Sequence, residues 1–322
     1  MSRDRAASSI RGRVVATVVL LLIGAARTYA CDVCAIYTAT EQRESRQGFR
    51  IGVAEQLSRF TTLQENGDKI DNPGEHLTSS ITQVMLGYDF GPLVGVQFTL
   101  PVIVRDFRRR EEGVITSGSE SGIGDVSLIG TLRPFSYVTE RSVLRTSLLG
   151  GLKFPTGSTH RLREELHEDE DGGPLGVHGH DLALGSGSVD GIIGGAVFAS
   201  WQRLFWTTAV QYAIRTTGAI DYRYANDLTW SGGPGVYPFL THEASLSLQA
   251  MVTGEHKGTD TLDGVEAEDT GMTAVYVGPG ISATWGTSFA ADIAVDFPIM
   301  QDNTSVQLVR DYRVRAGLGW RF

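Results

Sequence analysis

The sequence predicts an all-β chain: a transmembrane, antiparallel up-and-down β-barrel of about twelve strands, with short periplasmic turns and long outer loops. Three observations carry this expectation. An export signal opens the chain, and no later apolar run is long enough for a membrane helix. Apolar and polar residues then alternate with period two. The connections between the alternating stretches sort by length according to their parity.

Arg3, Arg5, Arg11 and Arg13 precede an uncharged apolar run from Val14 to Ala26, and Thr28-Tyr29-Ala30 forms a small-x-Ala cleavage site before Cys31. This is the three-part pattern of a secretory signal. The apolar run is shorter than the ~20 residues a spanning helix needs. The alternatives are an uncleaved N-terminal anchor and a lipid-modified Cys31, although Thr28 and Tyr29 fit a lipid-attachment box poorly. The chain therefore divides into a signal peptide (1–30), a periplasmic N-terminal segment (31–47) and a barrel (48–322). The full chain carries a formal net charge of −9. Five arginines and one aspartate lie in 1–30, so the remainder carries 23 basic and 36 acidic residues, or −13. That acidity speaks against nucleic acid as a partner.

Twelve strands are expected at 48–60, 78–90, 93–107, 122–133, 143–154, 188–200, 204–216, 227–238, 243–254, 272–285, 288–299 and 306–322. In the last, Leu308, Tyr312, Val314, Ala316, Leu318, Trp320 and Phe322 share one face, with Arg310 near its end, and Asp311, Arg313, Arg315 and Arg321 share the other. Successive side chains of a strand point to opposite faces, so one face is oily and the other charged. The same split recurs in 143–154, 204–216, 243–254 and 288–299. Most of these stretches exceed the usual globular strand of about 5–6 residues and reach the ~9–11 that a tilted strand needs to cross a bilayer. The gaps after odd-numbered strands, 61–77, 108–121, 155–187, 217–226, 255–271 and 300–305, are mostly long and polar. Those after even-numbered strands, 91–92, 134–142, 201–203, 239–242 and 286–287, are mostly short. Outer-membrane barrels place short turns on the periplasmic side and longer loops outside, whereas a β-sandwich has no reason to segregate its loops this way.

Trp201, Trp206, Trp285, Trp320, Phe90, Phe135, Tyr137, Phe239 and Phe322 fall beside the short turns or at the C-terminus, as an interfacial girdle would. Trp230 sits near the other end. The alternative is that these are core aromatics of a large sandwich. The ending Leu318-Gly319-Trp320-Arg321-Phe322 resembles the C-terminal insertion signal of bacterial outer-membrane barrels, with Trp320 and Phe322 as its aromatics. Gly122-Ile123-Gly124-Asp125-Val126, Gly151-Leu152-Lys153-Phe154-Pro155-Thr156-Gly157 and Leu184-Gly185-Ser186-Gly187-Ser188 resemble a broad family of outer-membrane transporters associated with the meta-cleavage pathway of phenol degradation. The resemblance spans 48–322. It implies passive, porin-like passage of small molecules, hydrophobic or aromatic compounds among them, across the outer membrane of a Gram-negative-type bacterium. The implied partners are outer-membrane lipid, the barrel-insertion machinery and a small-molecule solute.

If the apolar faces meet lipid, the polar faces line the interior. Parity then points Gln97, Arg105, Asp125, Arg133, Arg145, Lys153, Asp190, Gln211, Arg215, Asp292, Asp296, Asp311, Arg313 and Arg315 inward. Both signs occur, so no strong selectivity is expected. A hairpin paired about its short loop would bring Asp292 near Arg313. These charges either line a usable pore or form a satisfied network that fills it, since twelve strands lie between filled small barrels and open porins.

The gap 155–187 carries Glu164, Glu165, His167, Glu168, Asp169, Glu170 and Asp171, followed by His178-Gly179-His180-Asp181. A solvated acidic surface loop is the expected state, and a lid folding into the mouth is an alternative. No cofactor is expected. The one exception considered is a divalent metal in this loop, with His178, His180 and Asp181 as ligands. Cys31 and Cys34 form a C-x-x-C, for which a disulfide is the default in an oxidising periplasm. Haem attachment would need histidine where Ala35 stands. No catalytic motif such as G-x-S-x-G or H-E-x-x-H is found, so no enzyme is expected. The alternative to a channel is a structural or sheath barrel that holds a periplasmic redox or metal-binding partner through its N-terminal end.

Overall fold

The computed structural model describes residues 47–111, 114–168 and 176–322. The expected signal peptide, Cys31, Cys34 and the acidic run Asp169-Glu170-Asp171 lie outside the described residues. Twelve strands form one closed antiparallel barrel. They are β1 (Gly48–Glu65), β2 (His76–Asp89), β3 (Val94–Glu111), β4 in two pieces (Val114–Ile123 and Val126–Val138), β5 (Ser142–Phe154), β6 (Asp190–Trp201), β7 (Leu204–Ile214), β8 (Asp227–Leu240), β9 (Ala244–Lys257), β10 (Met272–Trp285), β11 (Phe289–Asn303) and β12 (Val306–Arg321). Each strand pairs with its sequence neighbours, and β12 pairs back on β1 from Arg50↔Arg321 to Glu65↔Val306. Closure removes the edge whose unpaired N–H and C=O groups lipid cannot satisfy.

The strands run longer than expected on the outer side. β1 and β3 each have 18 residues. The stretch 108–121, expected as a polar loop, is a hairpin instead. Val114–Ile123 continues the ladder along the outer half of β3, from Glu111↔Val114 to Val102↔Ile123. The strand breaks at Gly124-Asp125, where the Gly124 N–H donates to the Pro101 carbonyl at 2.9 Å and Asp125 turns inward. Val126–Val138 then resumes the ladder against Val94–Thr99. In β8 and β10, glycine permits close approach of neighbouring backbone. A Cβ on Gly233, whose φ is +145°, would meet the Ala250 carbonyl oxygen at 2.0 Å, and one on Gly278 would overlap that of Val295.

The outer wall is apolar along most of its circumference: Leu128, Leu132, Leu144, Leu148, Leu152, Ile193, Val197 and Leu248 are all exposed. The aromatics beside the short turns form a ring at one rim, with Trp285 74% and Phe322 70% exposed. Such exposure on a chain this apolar marks a lipid-facing surface rather than a water-facing one. One outward stripe on β1 and β2 is polar. Glu55 accepts hydrogen bonds from Ser80 at 2.6 Å and from Thr82 at 2.5 Å, and Arg59 donates to Thr78. These groups satisfy one another across the strand pair, which lowers the cost of holding them on an apolar wall.

Leu148 lies midway along β5 on the lipid face. Leu148→Arg is expected to cost about 2–4 kcal/mol of barrel stability, read from the denaturant midpoint in lipid vesicles. A change close to zero would place this face in water.

Candidate functional site

The lumen is the site, and alternation builds it. Gln97, Arg105, Arg133, Lys153, Asp190, Asp296 and Arg313 sit on the inward faces of their strands, Arg215 enters the lumen just past the end of β7, and Asp125 enters it at the break in β4. Arg145, Gln211, Asp292 and Arg315 share those inward faces and are half-buried. Asp311 departs from the expectation. The β1–β12 ladder shifts register between Arg59 and Thr62, and there Asp311 accepts hydrogen bonds from Thr61 at 2.6 Å and from Thr62 at 2.7 Å, at the seam. The same irregularity turns Arg310, expected at the end of the oily face, into the lumen. Strict alternation fails at this point because a bulge inserts a residue between the two faces.

Three ion clusters line the interior. Near the rim with the short turns, Asp89 is fully buried and holds Arg50 at 3.0 Å, Arg133 at 2.9 Å and Arg321 at 3.3 Å. On β9–β12, Asp296 holds Arg313 at 2.8 Å and Arg315 at 3.0 Å, while Glu255 binds Arg310 and the Tyr276 hydroxyl and lies 3.4 Å from Arg313. The Arg313 guanidinium also lies 5.1 Å over the Tyr276 ring. On β5–β8, Lys153 bridges Asp125 and Asp190, each at 2.8 Å, and Arg215 bridges Asp190 at 2.8 Å and Asp227 at 2.6 Å. Ser186 from the long loop donates both its N–H (2.9 Å) and its hydroxyl (2.8 Å) to Asp125.

The expected Asp292–Arg313 neighbourhood is not formed. Asp292 pairs in register with Gly317, and Asp296 is the residue opposite Arg313. β11 runs on to Asn303 and the chain turns at Thr304-Ser305, which moves the register by four residues from the one a turn at the middle of 300–305 would give. Sequence parity also missed Asp89, Asp227, Glu255 and Arg310. Glu255 fell one residue beyond the expected end of its strand. Asp89 shares the inward face of Gln83, Met85 and Gly87, a signal that was available.

The 155–187 segment overturns the surface-loop expectation in its described parts. A turn of 3₁₀ helix (His160–Glu164), α1 (Glu165–Glu168) and α2 (Gly179–Leu182) fold into the barrel mouth. Val177 and Leu182 are fully buried in one apolar cluster with Phe60, Leu63, Leu77, Phe107 and Leu308 of the wall, and Leu184 packs on Ile81 and Ile103. The charges dominated the sequence reading, yet these few apolar side chains set the position of the loop. Arg105 fastens it, donating to the carbonyls of Asp181 and, at 2.9 Å, Ala183. Asp181 caps α2 by accepting the His178 N–H at 3.1 Å.

The three residues considered as metal ligands lie together, with His180 Nε2 3.6 Å from Asp181, and each histidine also meets a further carboxylate. His178 Nε2 lies 3.1 Å from Asp269, and His180 Nδ1 lies 3.1 Å from Glu165, with the two rings stacked 5.6 Å apart. Among the described residues, no group of three or more His, Cys, Asp or Glu is arranged to hold a metal ion. Burial opposes the charged form of His180, but Asp181 and Glu165 outweigh it and raise its pKa to about 10. Burial likewise opposes ionised Glu165, and His180 outweighs it and holds the carboxyl below its usual range.

Two cavities of about 140 Å³ each lie within the barrel. One is near the short-turn rim, beside Arg50, Gln97, Asp292 and Arg321, and the other lies beneath the folded-in loop.

Removing one partner of a buried ion pair leaves an uncompensated charge. Asp190→Asn, which strips Lys153 and Arg215 of a shared carboxylate, is expected to cost about 3–5 kcal/mol. Asp311→Asn at the seam should cost about 1 kcal/mol or less. Denaturant midpoints of the two variants check the difference. A histidine with a raised pKa contributes stability that is complete below its unfolded value and is lost as pH rises through the folded one. A carboxyl with a lowered pKa contributes stability that is lost as pH falls through its folded value. The loop should therefore resist subtilisin cleavage best from about pH 5 to about pH 6.5, lose that resistance progressively as pH rises further, and be open by about pH 10.

No protein-family model matches the chain, and no curated protein sequence matches it. Solved structures do. An outer-membrane channel from Pseudomonas putida F1 superimposes with a TM-score of 0.63 at 14% identity, covering 89% of this chain and 100% of that one. The transport unit of the autotransporter AIDA-I from Escherichia coli gives 0.45 at 9% identity, covering 90% and 94%. The β-domain of the Bordetella autotransporter BrkA gives 0.44 at 12%, covering 86% and 100%. The fold is that of a closed, twelve-stranded outer-membrane β-barrel.

Proposed function

We propose that this chain is an outer-membrane channel giving small solutes passive passage. The observation that carries the reading is a closed barrel whose inner wall is ionised and holds two cavities, set inside an apolar, aromatic-rimmed exterior. A barrel that served only as a shell could fill its interior with apolar side chains at lower desolvation cost. A solved outer-membrane channel of the same fold supports the reading. The ion clusters and the folded-in loop narrow the path, so passage suits small solutes rather than polymers. Hydrophobic or aromatic compounds belong to this reading through the apolar wall beneath the loop, formed by Phe60, Leu77 and Leu308.

Reconstituted in planar bilayers, the folded protein should give small, stepwise conductance. Leu182→Asp, which places a charge in the apolar contact between loop and wall, should unseat the loop and raise that conductance severalfold. A folded barrel that stays silent in both forms would overturn the channel.

A further inference from the structure

The cavity beneath the loop has two unlike sides. Phe60, Leu77 and Leu308 of the wall and Leu184 of the loop make one side apolar. The remaining lining carries most of the cavity's polar and ionised groups, and there nearly every charge faces its opposite. Lys153 is matched with Asp125, Arg215 with Asp190, Lys257 with Asp260, Arg310 with Glu255, and His180 with both Glu165 and Asp181.

Arg105 is the exception among the described residues. It is 6% exposed, it donates only to the backbone carbonyls of Asp181 and Ala183, and its Nε meets no acceptor. Glu120, which lies opposite it in register, is engaged by Arg161 at 2.5 Å. Carbonyl dipoles do not cancel a full charge, and a buried cation without a counter-ion carries a desolvation cost that an anion would relieve. Arg105 thus lines the cavity without an ion pair of its own, beside the apolar side chains of Ile103 and Leu184. Its volume of about 140 Å³ is close to the ~150 Å³ of an engineered apolar cavity that holds benzene.

We propose that this cavity binds a small monocarboxylate with an apolar body of about benzene size. The Arg105 guanidinium takes the carboxylate, and Phe60, Leu77, Leu184 and Leu308 take the body. The inference rests on the channel reading, since a solute reaches this cavity only along the lumen. It assigns Arg105 a ligand in addition to its grip on the loop.

Calorimetric titration of the folded full-length protein with benzoate, and with benzamide as its uncharged counterpart, tests the assignment. Benzoate should bind at least about tenfold more tightly than benzamide, as a charge-assisted hydrogen bond would provide. Arg105→Met should abolish that preference and Arg105→Lys should keep part of it. An Arg105 that only fastens the loop would leave the two ligands alike. Equal affinities, or no binding of either, overturn the proposal. Should Arg105→Met fail to fold, the comparison on the unaltered chain decides alone. Conductance of the same preparation separates the two readings. A conducting barrel that treats the ligands alike loses the carboxylate site and keeps the channel, and a silent barrel that binds neither loses both.

Discussion

The pairing of β12 with β1 is the constraint on which the rest depends. In a bilayer every backbone N–H and C=O needs a partner within the protein, and a sheet meets that requirement only by closing on itself. The ladder from Arg50↔Arg321 to Glu65↔Val306 performs the closure. Once the cylinder is shut, each strand has an outside and an inside, and a period-two sequence becomes a two-sided wall. The girdle, the lumen and the ion clusters all follow from that division.

The interior then has its own problem. Charges removed from water are tolerated only when other charges and hydrogen bonds surround them. The three clusters answer this with shared partners rather than isolated pairs: Asp89 holds three arginines, Lys153 spans two aspartates, and Arg313 is divided between Asp296 and Glu255. Sharing ties several neighbouring strands into each cluster, so the clusters brace arcs of the barrel wall from within. They also leave little slack, which is why a single buried guanidinium satisfied only by carbonyls is informative.

The folded-in loop shows a second use of the same physics. Apolar contacts of Val177, Leu182 and Leu184 seat it, while His180, Glu165 and Arg105 hold its orientation. The result is a mouth whose lining combines oil and charge. The sequence reading could weigh the acidic residues of this segment but could not know that three leucine and valine side chains would find Phe60, Leu77 and Ile103 of the wall. Sequence separation hides such contacts, because nothing in a local pattern states which strand faces which.

Much of the barrel was legible beforehand, for a physical reason. Lipid outside and charge inside impose a strict alternation, and a strand crossing a bilayer has a set length, so strand number, direction and facing are written locally. The sequence therefore determined the twelve strands, the parity of the loops, the aromatic rim and the inward facing of residues such as Arg105, Lys153, Asp190 and Arg313. Only the tertiary structure decided the register and the irregularities: Asp296 rather than Asp292 beside Arg313, Arg310 inward and Asp311 at the seam, β4 broken at Asp125, and the loop inside the mouth. Those outcomes depend on where turns and bulges fall and on which distant side chains meet. Such events are settled by packing across the closed cylinder and not by any stretch of sequence read alone.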